Sequence, residues 1–281
     1  MHWRQYQEMQ KVVELGDSFM SYVDRGEGPA LVLVHGFPFW GYVWHRLLPI
    51  LEQKHRVLIP DLPGYGFSDR SDRFDRCLAR QAERLELFLK EAGVDRATVV
   101  GHELGGGVAL RLAASSPKRV ERLFLAAPVC YDWLQSSIAS ELSRSSAARK
   151  APAAIVAKAL REALREVSAA PDDDLLDGLL APYATETGKL SLIRDAAAMD
   201  AGQTAELSGL LPSLDVPALV CWGELDRLAP KSAGRRLAWD LPRAQLALLP
   251  GAGHLSFIDK QAEFASLLET FLEGALPRPV P

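Results

Sequence analysis

The stretch that most constrains this chain is Val99-Val100-Gly101-His102-Glu103-Leu104-Gly105-Gly106-Gly107. Residues 97–100 lead into it as an apolar, β-branched run that reads as a buried strand. Val108-Ala109-Leu110-Arg111-Leu112-Ala113-Ala114 follows with helical composition and stops short of Pro117. A strand that enters a helix through G-x-x-x-G turns so tightly that neighbouring backbone leaves no room for a Cβ at the flanking positions. Such an elbow lifts its central side chain above the strand's C-terminal end, where a nucleophile, commonly serine, can act. Here the raised residue is Glu103.

Strand and helix patterns alternate on both sides of this turn. Residues 11–15 and 18–23, separated by a Gly16-Asp17 turn, and residues 30–34 read as an opening β-meander. The last run is apolar throughout, as a strand covered on both faces is. It stops at His35-Gly36-Phe37-Pro38, and residues 44–53 have helical spacing. A further strand over 56–60 ends in Asp61-Leu62-Pro63-Gly64-Tyr65-Gly66-Phe67-Ser68. Residues 75–92 place Leu78, Leu85, Phe88 and Leu89 on one helical face and end at Gly93. Beyond the elbow, 122–126 is a strand; strands return at 218–222 and 245–249, with helices over 235–240 and 260–272. Between Pro128 and Leu214 the pattern is helical only, broken by Pro152, Pro171, Pro182 and Gly188. The alternation predicts an α/β fold with a mostly parallel sheet and helices on both faces. Residues 1–127 and 215–281 are expected to form the core domain, and 128–214 a helical lid inserted into it; the tail 277–281 is expected to be disordered.

A chain of 281 residues with 48% hydrophobic and 24% charged residues can bury a large core. Its net charge of -4 gives no reason to expect a nucleic-acid partner or an anionic membrane, and solvated helix faces account for the arginines of the middle third. Cys77, Cys130 and Cys221 are far apart and form no C-x-x-C pair, which points to free thiols in a reducing compartment. The N-terminal residues lack the apolar run of a secretory signal, and no stretch reaches the ~20 apolar residues of a membrane span. A cytoplasmic location is the resulting expectation. No cofactor is implied, metal or organic, since the sequence has neither ligand-spaced His/Cys clusters nor a phosphate-binding glycine loop. The oligomeric state is left open.

Three loops that follow sheet strands each present one polar residue: Glu103 on the elbow, Asp226 in Trp222-Gly223-Glu224-Leu225-Asp226, and His254 in Pro250-Gly251-Ala252-Gly253-His254. Their chain order is nucleophile, acid, histidine, and reactive groups in such sheets collect beyond the strands' C-terminal ends. Together with His35-Gly36-Phe37-Pro38 and the 61–68 loop, these motifs resemble the α/β-hydrolase family over nearly the whole chain. Within it, His-Gly-Phe-Pro and Gly-Tyr-Gly-Phe-Ser are most similar to epoxide hydrolases and haloalkane dehalogenases, which carry a carboxylate, usually aspartate, at the elbow.

The resemblance implies a mechanism. Glu103 attacks an electrophilic carbon and forms an alkyl ester. His254 then activates water, Asp226 fixes the tautomer of His254, and the backbone amides of Phe37 and Leu104 form the oxyanion hole. The expected substrate is a small or medium apolar molecule, foremost an epoxide. Leu104 stands where dehalogenases usually place a halide-binding tryptophan, which argues against halide chemistry. Trp40, Tyr131 and Tyr183 are candidate substrate contacts, with core or lid packing as the alternative; Trp133 is the same kind of residue. His35, His102 and Asp61 read as loop-ordering groups, and Asp132 as a weaker candidate acid than Asp226.

Glutamate is longer than aspartate by one C–C bond, roughly 1.5 Å. A misplacement of about 1 Å can cost on the order of 100-fold in rate, so the site must be shaped around the longer side chain. Two other readings remain open on sequence. Glu103 can serve as general acid or base in a lyase, cyclisation or rearrangement step. Alternatively, the fold persists as an inactive ligand-binding protein.

Overall fold

Eight short runs rich in β-branched and aliphatic residues form one sheet: β1 (Lys11–Glu14), β2 (Phe19–Arg25), β3 (Ala30–Val34), β4 (Arg56–Pro60), β5 (Ala97–His102), β6 (Val120–Ala126), β7 (Ala218–Gly223) and β8 (Ala244–Leu249). A computed structural model describes residues 1–131, 137–165, 168 and 172–274. Every residue of β5 and β7 is buried, which is why these strands read as continuous apolar runs rather than alternating ones. The strand order is β1-β2-β4-β3-β5-β6-β7-β8. From β4 to β8 all pairings are parallel, whereas β1 with β2 and β2 with β4 are antiparallel. An α/β fold with a mostly parallel sheet is therefore observed.

The opening meander is not. β4 lies between β2 and β3, with Val23 opposite Ile59 on one side and Leu31 opposite Val57 on the other. The buried strand β3 needs neighbours on both edges, and it takes them as parallel partners β4 and β5 instead of a hairpin with β2.

The helices before the elbow are α1 (Trp3–Glu8), α2 (Leu48–Leu51) and α3 (Leu78–Glu91); α4 (Leu104–Ser115) follows it. The helix expected over 44–53 is instead a 3-10 turn, Gly41–Trp44, followed by the four-residue α2. Helix α3 begins three residues later than the sequence suggests, because residues up to Arg76 belong to the loop from β4. Between β6 and β7 come α5 (Ser137–Arg144), α6 (Ser146–Lys150), α7 (Ala153–Arg165), α8 (Asp173–Leu180), α9 (Glu186–Ala198) and α10 (Ala201–Leu210). The chain closes with α11 (Lys231–Asp240), α12 (Ser256–Asp259) and α13 (Gln261–Leu272). No helix among the described residues is long and apolar enough to cross a membrane.

The connection from β3 runs to β4 on one side, and that from β5 runs to β6 on the other. The sheet thus reverses its winding between β3 and β5, which pair through Val34 and Gly101. Ligand crevices in open α/β sheets form at such a reversal, beyond the strands' C-terminal ends. The loop at His35 and the elbow at Glu103 flank it.

Candidate active site

Glu103 caps the N-terminus of α4 with φ 50° and ψ -115°. A non-glycine residue there carries about 1–3 kcal/mol of strain, which the surrounding bonds must offset. Its N–H donates to the Ala126 carbonyl at 3.1 Å, and its carbonyl accepts from the N–H groups of Gly106, Gly107 and Val129 at 3.0, 3.2 and 3.0 Å. Gly105 is required by close approach, since a Cβ on it would lie 2.3 Å from the Val34 carbonyl oxygen.

The side chain of Glu103 is buried, and its Oε2 accepts hydrogen bonds from the backbone N–H groups of Phe37 and Leu104, both at 2.6 Å. Among the described residues Oε1 accepts none. The extra methylene is accommodated at Gly36, where a Cβ would fall 2.7 Å from both Cβ and Oε2 of Glu103. The sequence places Phe37 and Leu104 as donors to a developing oxyanion; in the structure both point at an oxygen of Glu103 itself. Burial raises the Glu103 carboxyl above its usual 4.5, opposed by those two N–H donors and by His254.

His254 and Asp226 meet across the ends of β7 and β8. His254 Nδ1 lies 2.9 Å from Asp226 Oδ2, and both side chains are buried. Asp226 Oδ1 accepts from the N–H groups of Leu228 and Ala229 at 2.9 and 2.8 Å, so the carboxylate is oriented from behind. An acceptor at Nδ1 assigns the proton to that nitrogen and leaves Nε2 as the basic one. The two loops can approach because Gly223 has no side chain: a Cβ would sit 2.0 Å from the Gly253 carbonyl oxygen.

His102 packs beside this pair, its ring centroid 4.8 Å from that of His254 and 5.0 Å from that of Phe257. Burial holds its pKa well below 6.5, so a neutral imidazole lies against His254. His35 is also neutral, pushed down to about 4 by burial. Its Nδ1 lies 3.0 Å from the Gly36 carbonyl oxygen, and its Nε2 accepts from the Leu62 N–H at 3.0 Å, which braces the loop that carries Phe37. Asp61 accepts from the N–H groups of Gly41 and Phe67 and from Gln10 Nε2, at 2.8, 2.9 and 2.9 Å. Both groups order loops.

The aromatic candidates have partners of their own. Trp40 is fully buried; its Nε1 donates to the Gly178 carbonyl on α8 at 3.0 Å and its ring stacks on Tyr42. The Tyr131 hydroxyl donates to Asp240 of α11 at 2.8 Å, with Arg236 over the ring, so it faces the flank of the sheet rather than Glu103. Tyr183 is buried within electrostatic range of Asp195, Arg70 and Asp61. Asp132 and Trp133 fall outside the described residues.

Sequence reading passed over a second cluster. A cavity of about 20 Å³ is lined by Tyr65, Arg76, Leu104, Val129, Asp195 and Gln203, among others. Arg76 Nη1 donates to Asp195 Oδ1 and, at 3.0 Å, to Ser191 Oγ, joining the loop before α3 to α9 through a buried ion pair. Burial pushes Asp195 up to about 7 despite Arg76. The available signal was positional: Ser191, Leu192, Asp195 and Ala196 share one helical face, and all four are buried.

A family model described as alpha/beta hydrolase fold matches residues 29–261. A solved structure of an alpha/beta hydrolase fold protein from Burkholderia ambifaria superposes with a TM-score of 0.87 at 30% identity, covering 92% of this chain and 97% of that one. Among sequence relatives, a pimeloyl-[acyl-carrier protein] methyl ester esterase of Neisseria meningitidis is 30% identical over 88% of this chain and 78% of its own length. A cis-3-alkyl-4-alkyloxetan-2-one decarboxylase of Shewanella oneidensis is 24% identical over 90% of this chain and 85% of its own.

Proposed function

We infer that this chain, which belongs to the α/β-hydrolase fold family, is a hydrolase that opens epoxides through a covalent ester on Glu103. The observation that carries the reading is the seat of Glu103 Oε2 between the N–H groups of Phe37 and Leu104. In an acyl-transfer enzyme those donors wait for an oxyanion on the substrate carbonyl. Here the nucleophile's own oxygen fills the hole, so an acyl substrate has nowhere to place its charge. Attack at a saturated carbon creates no such oxyanion, and the ester esterase likeness is read as shared fold.

On this reading Glu103 supplies the nucleophile and His254 the base. Oε1 attacks a ring carbon, the C–O bond of the epoxide breaks, and the departing oxygen takes a proton from solvent. Oε2 is then the ester carbonyl oxygen. Water gives a proton to His254 Nε2 while its oxygen attacks Cδ of Glu103, and the negative charge develops on Oε2, already held by both donors. Asp226, fixed by its own two backbone bonds, stabilises the imidazolium. Collapse breaks the bond from Cδ to Oε1, which leaves on the alkyl carbon as the second hydroxyl of the diol and takes the proton from His254; the Glu103 carboxyl, now holding the water's oxygen, releases its proton to solvent and is regenerated. Leu104 offers no side-chain N–H to a halide, which favours an epoxide over a haloalkane.

A single turnover of an epoxide in oxygen-18 water tests this. Label is expected in Glu103 and absent from the first diol released; label passing straight into product overturns the covalent route. One observation favours acid/base chemistry instead, namely the raised pKa of Glu103. That chemistry incorporates no water oxygen into either protein or product, so the same experiment separates the two.

A further inference from the structure

Asp195 does not complete its hydrogen bonding within the protein. Oδ1 is paired with Arg76, but Oδ2 is buried and has no hydrogen-bond partner among the described residues. A buried polar atom left unpaired costs about 1–3 kcal/mol, so it marks a place where something else binds. Asp195 borders the cavity of about 20 Å³, room for one water-sized group. Leu104, neighbour of Glu103 and donor to its Oε2, borders the same cavity.

Two of the other polar side chains at this cavity, Gln203 and Thr204, are already satisfied, whereas Tyr65 and Asp200 also border it. Gln203 Oε1 accepts from the Leu78 N–H at 2.6 Å, and Thr204 Oγ1 donates to the Ala201 carbonyl at 3.0 Å. Arg76 gives its donors to Asp195, to Ser191 and, at 3.2 and 2.7 Å, to the carbonyls of Arg70 and Ser71. An anion there meets the Asp195 carboxyl, and a cation meets the Arg76 guanidinium. A neutral hydroxyl meets an open acceptor. We propose that this cavity is the polar end of the substrate site, where Asp195 Oδ2 accepts a hydrogen bond from a hydroxyl that the substrate carries close to its reacting carbon.

The proposal rests on Glu103 as nucleophile and narrows the substrate from a wholly apolar molecule to a hydroxylated one.

Glycidol and glycidyl methyl ether present the same epoxide with and without a hydroxyl hydrogen, so their kcat/KM ratio reads the contact. Assayed above pH 7, where Asp195 is ionised, the wild type is expected to favour glycidol by about 10- to 100-fold, the range of a hydrogen bond to a charged acceptor. In Asp195→Asn, Arg76 keeps the amide carbonyl on its own side and the amide NH₂ faces the cavity, a donor in place of an acceptor. The preference for the alcohol is then expected to vanish or reverse. A wild-type ratio near one overturns the proposal whether or not the variant folds, and so does a variant that slows both substrates equally. If the wild type turns over neither epoxide, the reaction assigned to Glu103 fails separately. The subsite is then judged by ligand-observed NMR titration of 1-butanol against 1-methoxybutane on the same two proteins, with the same ratio and the same reversal expected.

Discussion

At the scale of single residues, the site is governed by where one carboxylate puts its two oxygens. On the proposed mechanism Glu103→Gln keeps the shape but removes the attacking charge, so kcat is expected to fall by at least about 10⁴-fold with the thermal melting point nearly unchanged. Because burial raises the Glu103 pKa and the nucleophile must be ionised, activity falls as pH drops through that raised value. The acid limb of kcat/KM is therefore expected above 4.5, the ordinary glutamate value. Asp61 gives a stability counterpart. Its carboxyl is pushed from 3.8 to about 6 by burial, so the folded state holds its proton more tightly than the unfolded chain. That contribution is fully present below the unfolded value and is lost as pH rises through about 6, on the order of 3 kcal/mol in all. The melting point of wild type minus that of Asp61→Asn should consequently fall between about pH 4 and pH 6 and level off above. Glu103, Asp226 and His254 were legible in sequence because each follows an apolar strand in a Gly-rich turn. Asp195 was not, because Arg76, the partner that explains it, is 119 positions away.

Elements set the approach of these residues to one another. The ends of β7 and β8 bring Asp226 to His254, and Gly223 is the point of closest passage. Gly223→Ala would drive a methyl to 2.0 Å from the Gly253 carbonyl and push the His254 loop outward. Overpacking of this kind costs about 1–3 kcal/mol, and a shift of about 1 Å in the base costs on the order of 100-fold in rate. Calorimetry and single-turnover kinetics should report both, with release of the covalent ester slowed more than its formation. Strand identities were readable from apolar runs, since β3, β5 and β7 are covered on both faces. Their lateral order was not, because the interposition of β4 between β2 and β3 depends on edge pairing rather than on any local pattern.

For the whole molecule, burial is uneven. Strand β5 has no exposed residue, whereas α6 has no buried one. Native-state hydrogen exchange should show β5 and β7 amides opening only with global unfolding, and α6 amides exchanging far sooner. This molecule has the α/β-hydrolase fold, which many serine hydrolases share. Fluorophosphonate probes recognise such enzymes by phosphorylating a hydroxyl and lodging the phosphoryl oxygen against two free amides. Glu103 supplies no hydroxyl, and its Oε2 already occupies those amides. The protein should therefore pass through a serine-hydrolase screen unlabelled and be captured by an alkylating epoxide probe, a chemical signature opposite to the one its outline advertises.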